Sequence, residues 1–127
     1  MDLTVFGTVS LGTLIEELSK IQDNALKMPV YVSMFGMSPS GVDSYRGYYD
    51  HLAIQCRYDH DVMTVKEFLD KLRFSVGAVF TGYKGGEYRM NKNTPVWVSR
   101  YGCADGNQIV GLHVNDYRVI LKVRHEE

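Results

Sequence analysis

Disulfides, membrane spans and any large charge of one sign are missing from this sequence of 127 residues. Its two cysteines, Cys56 and Cys103, show no CxxC spacing and are too few for a disulfide framework, so both are expected as free thiols of a reducing compartment. A net charge of −1 provides no extended positive field to collect phosphates along a duplex, which argues against non-specific nucleic-acid binding. No apolar run approaches a membrane span, and Met1 to Gly7 carries acidic Asp2 where a secretory signal would have a basic start and an apolar stretch. A cytoplasmic protein without a membrane partner is expected. A small anionic ligand stays open, because it needs only one or two cations and a few backbone N–H groups.

Catalytic signatures are equally scarce. There is no GxSxG, no HExxH and no pair of carboxylates at a spacing that forces them together. His51, His60, His113 and His125 are scattered, and the cluster Asp59-His60-Asp61 reads as a polar turn, since a metal site needs three or four converging ligands. Cys56 sits in an apolar alternation, as a buried inert thiol would. The chain therefore reads as non-catalytic, with no cofactor and no metal.

What is present is the composition of a folded domain. Apolar residues make up 45% and charged residues 23%, near globular averages, and the length suits a single domain over 1–127. Leu11, Leu14, Ile15, Leu18 and Ile21 recur at helical spacing, predicting an amphipathic helix over 10–24. Val30 to Phe35 is apolar at almost every position, as in a central strand buried on both faces. The serines, Pro39, Gly41 and Asp43 between Gly36 and Gly47 suggest a long loop, and Leu52, Ile54, Cys56 and Tyr58 then alternate with Ala53, Gln55 and Arg57 as in a half-buried strand.

A second helix starts at Thr64, where Thr64 and Glu67 have capping-box spacing and Met63 and Phe68 can form the hydrophobic staple. Its apolar stripe is predicted to continue through Val76 and Val79 to a C-cap at Gly82. Strand patterns follow at 87–90, 96–100 and 109–114, then a two-residue turn at Asn115-Asp116 and a strand over 117–124. The expected fold is α+β, in the order α-β-β-α-β-β-β, with both helices packed on an antiparallel or mixed sheet of about five strands.

Three runs combine residues that bind ligands. In Ser44-Tyr45-Arg46-Gly47-Tyr48-Tyr49 one guanidinium stands among three aromatic rings, a pairing suited to a phosphate and a planar base. Its structural alternative is an aromatic strand entry with Arg46 paired to Asp43 or Asp50. The run Tyr83-Lys84-Gly85-Gly86 lets backbone approach a ligand closely, or simply closes a helix with a turn, and it lacks the spacing of a phosphate-binding Walker loop. In Thr94-Pro95-Val96-Trp97-Val98 the indole alternates away from its valine neighbours, so it is either an exposed stacking residue or part of a second core layer, with Arg100 and Asn107 following on a polar loop.

These same residues carry a resemblance. The Ser-aromatic-Arg-Gly-x-Tyr run at Ser44 to Tyr49, the Leu52-Ala53 pair, Tyr83-Lys84-Gly85-Gly86 with Met90, Thr94-Pro95-Val96-Trp97-Val98, Gly102 and Ile109-Val110-Gly111 resemble a family of small proteins of tailed bacteriophages. Tyr45 stands where the family pattern often has tryptophan. Phage proteins of this size and composition are similar to the sponges that sequester nucleotide signals of bacterial immunity, the cyclic ADP-ribose isomers of Thoeris or the cyclic oligonucleotides of CBASS. The resemblance implies a nucleotide-derived ligand bound without turnover in the cytoplasm of an infected bacterium, by Ser44, Tyr45, Arg46, Gly47, Tyr48, Tyr83, Lys84, Gly85, Gly86, Trp97, Arg100 and Asn107, in a homo-oligomer. The alternatives are a protein–protein inhibitor or structural phage component, and last a small hydrolase using His51 or His60.

Overall fold

The computed structural model describes residues 2–5, 7–33, 37–45, 48–57, 62–81, 87–100 and 103–125, with the side chains of 43–45, 48–50, 100, 103–106 and 125 outside the description. In chain order the elements are β1 (Asp2–Thr4), α1 (Leu11–Ser19), β2 (Val30–Val32), β3 (Ser38–Tyr45), β4 (Tyr48–Arg57) and α2 (Val65–Ser75). They continue with β5 (Val79–Thr81), β6 (Glu87–Arg89), β7 (Val96–Arg100), β8 (Cys103–Val114) and β9 (Val119–His125). A short 3-10 turn, Asp23–Ala25, follows α1.

Both helices begin where side chains can satisfy free backbone donors. Ser10 Oγ accepts the N–H of Thr13 at 3.2 Å, and α1 then buries Leu11, Leu14 and Leu18 along one side. At α2 the capping box is complete: Thr64 Oγ1 accepts the Glu67 N–H at 3.2 Å and the Glu67 carboxylate accepts the Thr64 N–H at 3.1 Å. Val65, Phe68, Leu69 and Leu72 form its buried stripe. The helix ends earlier than the periodicity suggests. Gly77 at φ +83° turns the chain, so Val79 opens β5 instead of extending the stripe, and Gly82 lies outside the described residues.

The main sheet runs β2-β9-β8-β7-β4-β3, with β1 pairing β8 beyond the reach of β7, and β5 with β6 forms a separate hairpin. Pairs β2/β9 and β4/β7 are parallel and the others antiparallel. The two ends of this order are consecutive in the chain, and the N–H of Val32 donates to the Met37 carbonyl at 2.9 Å. The sheet thus curls into a nearly closed barrel.

The α+β class stands, and the strand inventory is corrected from about five to nine among the described residues. Val30 to Val32 is an edge strand and not a central one: Val30 and Val32 are buried, Tyr31 only partly, with β9 on one side and the returning β3 near the other. Most of the expected loop at 36–47 is β3, paired with β4 from Ser38↔Arg57 to Ser44↔Leu52. Its serines, proline and glycine are weak strand formers, and the partner strand overrides them; Pro39 is tolerated because β3 lies at the sheet's end.

Residues 103–107, expected as loop, likewise belong to β8, paired with β7 and β9. The β8–β9 connection has four residues and not two, since Val114 pairs with Val119. There the Asn115 carboxamide oxygen accepts the N–H groups of Tyr117 and Arg118 at 2.8 and 2.9 Å, which leaves Tyr117 exposed in the turn.

One face of the curled sheet supplies Leu52, Ile54 and Cys56 from β4, Val96 and Val98 from β7, Ile109 and Leu112 from β8 and Val119 and Leu121 from β9. These close on the helix stripes in a single core, and Met90 and partly buried Phe80 and Tyr88 bring the small hairpin onto it. Cys56 is buried, with its thiol 3.7 Å from the Ile54 carbonyl oxygen.

Candidate functional site

The period-two alternation that sends Leu52 and Ile54 inward sends His51, Ala53 and Gln55 to the outer face of β4. Parallel pairing puts Trp97 of β7 directly beside Ala53, and antiparallel pairing puts Gln108 of β8 on its other flank. Trp97 is only 7% exposed and Ala53 1%, so together they form a second, small buried cluster. Of the two expectations for Trp97, the second layer is the one found. The His51 ring lies on the indole with centroids 5.2 Å apart and planes 5° from parallel, an offset stack. Sequence reasoning considered His51 only as a catalytic candidate; extending the Ala53, Gln55, Arg57 face back by two residues would have found it beside Trp97.

Next to this stack along β4 comes the β3–β4 hairpin. Tyr45 pairs with Tyr48, and Arg46 and Gly47 stand between them in the chain. Arg46 and Gly47 themselves, and Tyr83, Lys84, Gly85 and Gly86, lie outside the described residues, as do the side chains of Ser44, Tyr45 and Tyr48. The β5–β6 hairpin, which carries residues 83–86 between its strands, touches both β3 and β4.

The register also separates residues that the sequence grouped. Arg100 pairs across from Cys56, and the Tyr45–Tyr48 pair lies one step beyond the Ser44–Leu52 pair, so the ladder puts it about five steps away, roughly 17 Å at about 3.3 Å per residue. The Arg46 hairpin and Arg100 therefore mark opposite ends of the barrel wall. Asn107 pairs with Val98 and shares its core-facing side, whereas Trp97 pairs with Gln108 on the outer side. His51 lies on the Arg46 half of this wall, three residues from Tyr48 and five from Cys56.

A cleft of about 420 Å³ opens at the start of α1, between Ser10, Thr13 and Glu16 on the helix and Lys92 and Asn93 opposite. It has no helix-end donors to offer an anion. The N–H of Leu11 donates to Thr94 and that of Gly12 to Lys92, each at 2.8 Å, and Thr13 is held by its Ser10 cap. Among the described residues no three His, Cys, Asp or Glu side chains converge to hold a metal ion, and the triplet Asp59-His60-Asp61 lies outside them. No described helix is long and apolar enough to cross a membrane. No protein-family model, curated protein or solved structure matches this chain.

Proposed function

We propose that this chain is a phage counter-defence protein that captures a nucleotide-derived immune signal, of the cyclic ADP-ribose or cyclic oligonucleotide class, and holds it without turnover. The observation that carries this reading is the pairing of Tyr45 with Tyr48 around Arg46-Gly47, on a hairpin in contact with the one that carries Tyr83 to Gly86. Arg46 would take a phosphate through charge-assisted bonds, Lys84 would add charge, and the N–H groups of Gly85 and Gly86 would complete the anion site. The resemblance of these runs to small tailed-phage proteins supports the source. Work in the cytoplasm of the infected cell follows from that source and from the ligand.

Enclosing a ligand is difficult for one domain of this size, so the reading includes a homo-oligomer with the ligand held near a subunit interface. A second reading, an inhibitor or structural component that docks on a partner protein, is favoured by Phe74, an aromatic on α2 that is 83% exposed. Incubating purified protein with cyclic ADP-ribose isomers and cyclic dinucleotides separates the readings. Loss of free nucleotide that heating returns unchanged supports capture. An altered product means an enzyme, and undiminished free nucleotide sends the function to a protein partner. Light scattering on the same sample checks for more than one chain per particle.

A further inference from the structure

We infer that the His51–Trp97 stack is a platform for a planar heteroaromatic ring, so that the ligand is recognised through a base as well as through phosphate. The inference deepens the proposed function and rests on its ligand class. The stack lies on the outer face of β4 and β7, in a small buried layer separate from the core that the helices complete. Ala53, directly beside Trp97, is the smallest side chain that keeps this strand position apolar, and it leaves the indole room to lie flat beneath His51.

The layering determines which ring meets the ligand. Trp97 is 7% exposed and serves as the floor, while His51, partly exposed, lies above it. Near-parallel planes hold the imidazole in one orientation, so an incoming base stacks on a surface whose tilt is already set. Trp97 is then a positioning residue and His51 the contact. Tyr48 lies three residues before His51 on β4, on the side of the β3–β4 hairpin.

Trp97 is the chain's one tryptophan, so its emission reports directly on the stack. Adenosine, AMP, ADP-ribose and ring-free ribose 5-phosphate are titrated into wild type, His51→Ala and His51→Phe, each first checked for a cooperative melt. ADP-ribose and AMP are expected to change Trp97 emission and ribose 5-phosphate is not. His51→Ala should weaken ADP-ribose by about five- to 150-fold, the range for loss of one base stack, while His51→Phe restores binding. Equal affinity for ADP-ribose in wild type and folded His51→Ala overturns the platform, as does ribose 5-phosphate binding as tightly as AMP. Adenosine binding as tightly as ADP-ribose keeps the platform and removes the phosphate site of the proposed function. ADP-ribose binding that depends on Arg46 but is indifferent to His51 does the reverse. Failure of every ring-bearing probe to bind overturns the platform.

Discussion

Gly111 of β8 lies so close beneath β1 that a β-carbon on it would overlap the Leu3 carbonyl, with the Leu3 carbonyl carbon 2.8 Å away. The first strand can pair along β8 only because no side chain stands there. Gly111→Ala is expected to lift β1 and to weaken the neighbouring bond from the Val5 N–H to the Val110 carbonyl, now 2.7 Å. Overpacking of this kind costs about 1–3 kcal/mol. Urea unfolding checks the magnitude, and hydrogen exchange at Thr4 and Val5 checks the location; unchanged protection there would contradict the account.

The reciprocal cap on α2 makes a smaller and more local contribution. Thr64→Ala removes the acceptor for the Glu67 N–H and should lower stability by about 1 kcal/mol, whereas Thr64→Ser should retain nearly all of it. Glu67→Gln keeps an oxygen that can accept the Thr64 N–H and should be milder than Glu67→Ala. Denaturant midpoints for the four variants check that order.

Acid should loosen the attachment of β1 in a defined window. The Lys122 ammonium, hydrogen-bonded to Asp2, is the main cause holding the Asp2 carboxyl below its ordinary value of 3.8; Coulombic attraction to Lys122 and His113 acts in the same direction. A carboxyl lowered in the folded state contributes stability above its unfolded value and loses it as pH falls through the folded value. Asp2→Asn and Lys122→Met should therefore show a flatter fall in stability below about pH 4, and salt should narrow their difference from wild type because Asp2 is exposed. A wild-type profile superimposable on Asp2→Asn through that window would remove the pair from the stability balance.

Where side-chain chemistry acts locally, the sequence was readable. The Thr64–Glu67 spacing, the stripe from Leu11 to Leu18 and the alternation of Leu52, Ile54 and Cys56 all depend on near neighbours, and each appears in the fold. Strands specified by distant partners were not readable. Ser38 to Gly41 carries loop residues and becomes β3 because β4 supplies the ladder, while Val30 to Val32 has the composition of a central strand and sits at an edge that the curl of the sheet covers. The candidate site divides along the same line. The alternation of Trp97 against Val96 and Val98 was legible, but its meeting with His51 depends on the parallel register of β4 and β7, a pairing between segments more than forty residues apart in the chain.

That register leads to a prediction about two arginines that composition alone would treat alike. Arg46 lies between the paired Tyr45 and Tyr48 in the chain, and Arg100 pairs across from Cys56, about five steps or roughly 17 Å along the ladder at about 3.3 Å per residue. One guanidinium side chain does not cover that distance, so a phosphate taken by Arg46 is not shared with Arg100 of the same subunit. Arg46→Ala should weaken ADP-ribose by about one to two decades, the loss expected for a charge-assisted phosphate contact, with the melting temperature unchanged. Arg100→Ala should leave affinity unchanged, and the double variant should match Arg46→Ala alone. Calorimetric titration of the three proteins checks this, with light scattering on each. Loss of binding in Arg100→Ala at an unchanged melting temperature would mean that capture draws on a second cation at the far end of this wall or on the Arg100 of a neighbouring copy, and light scattering distinguishes the two.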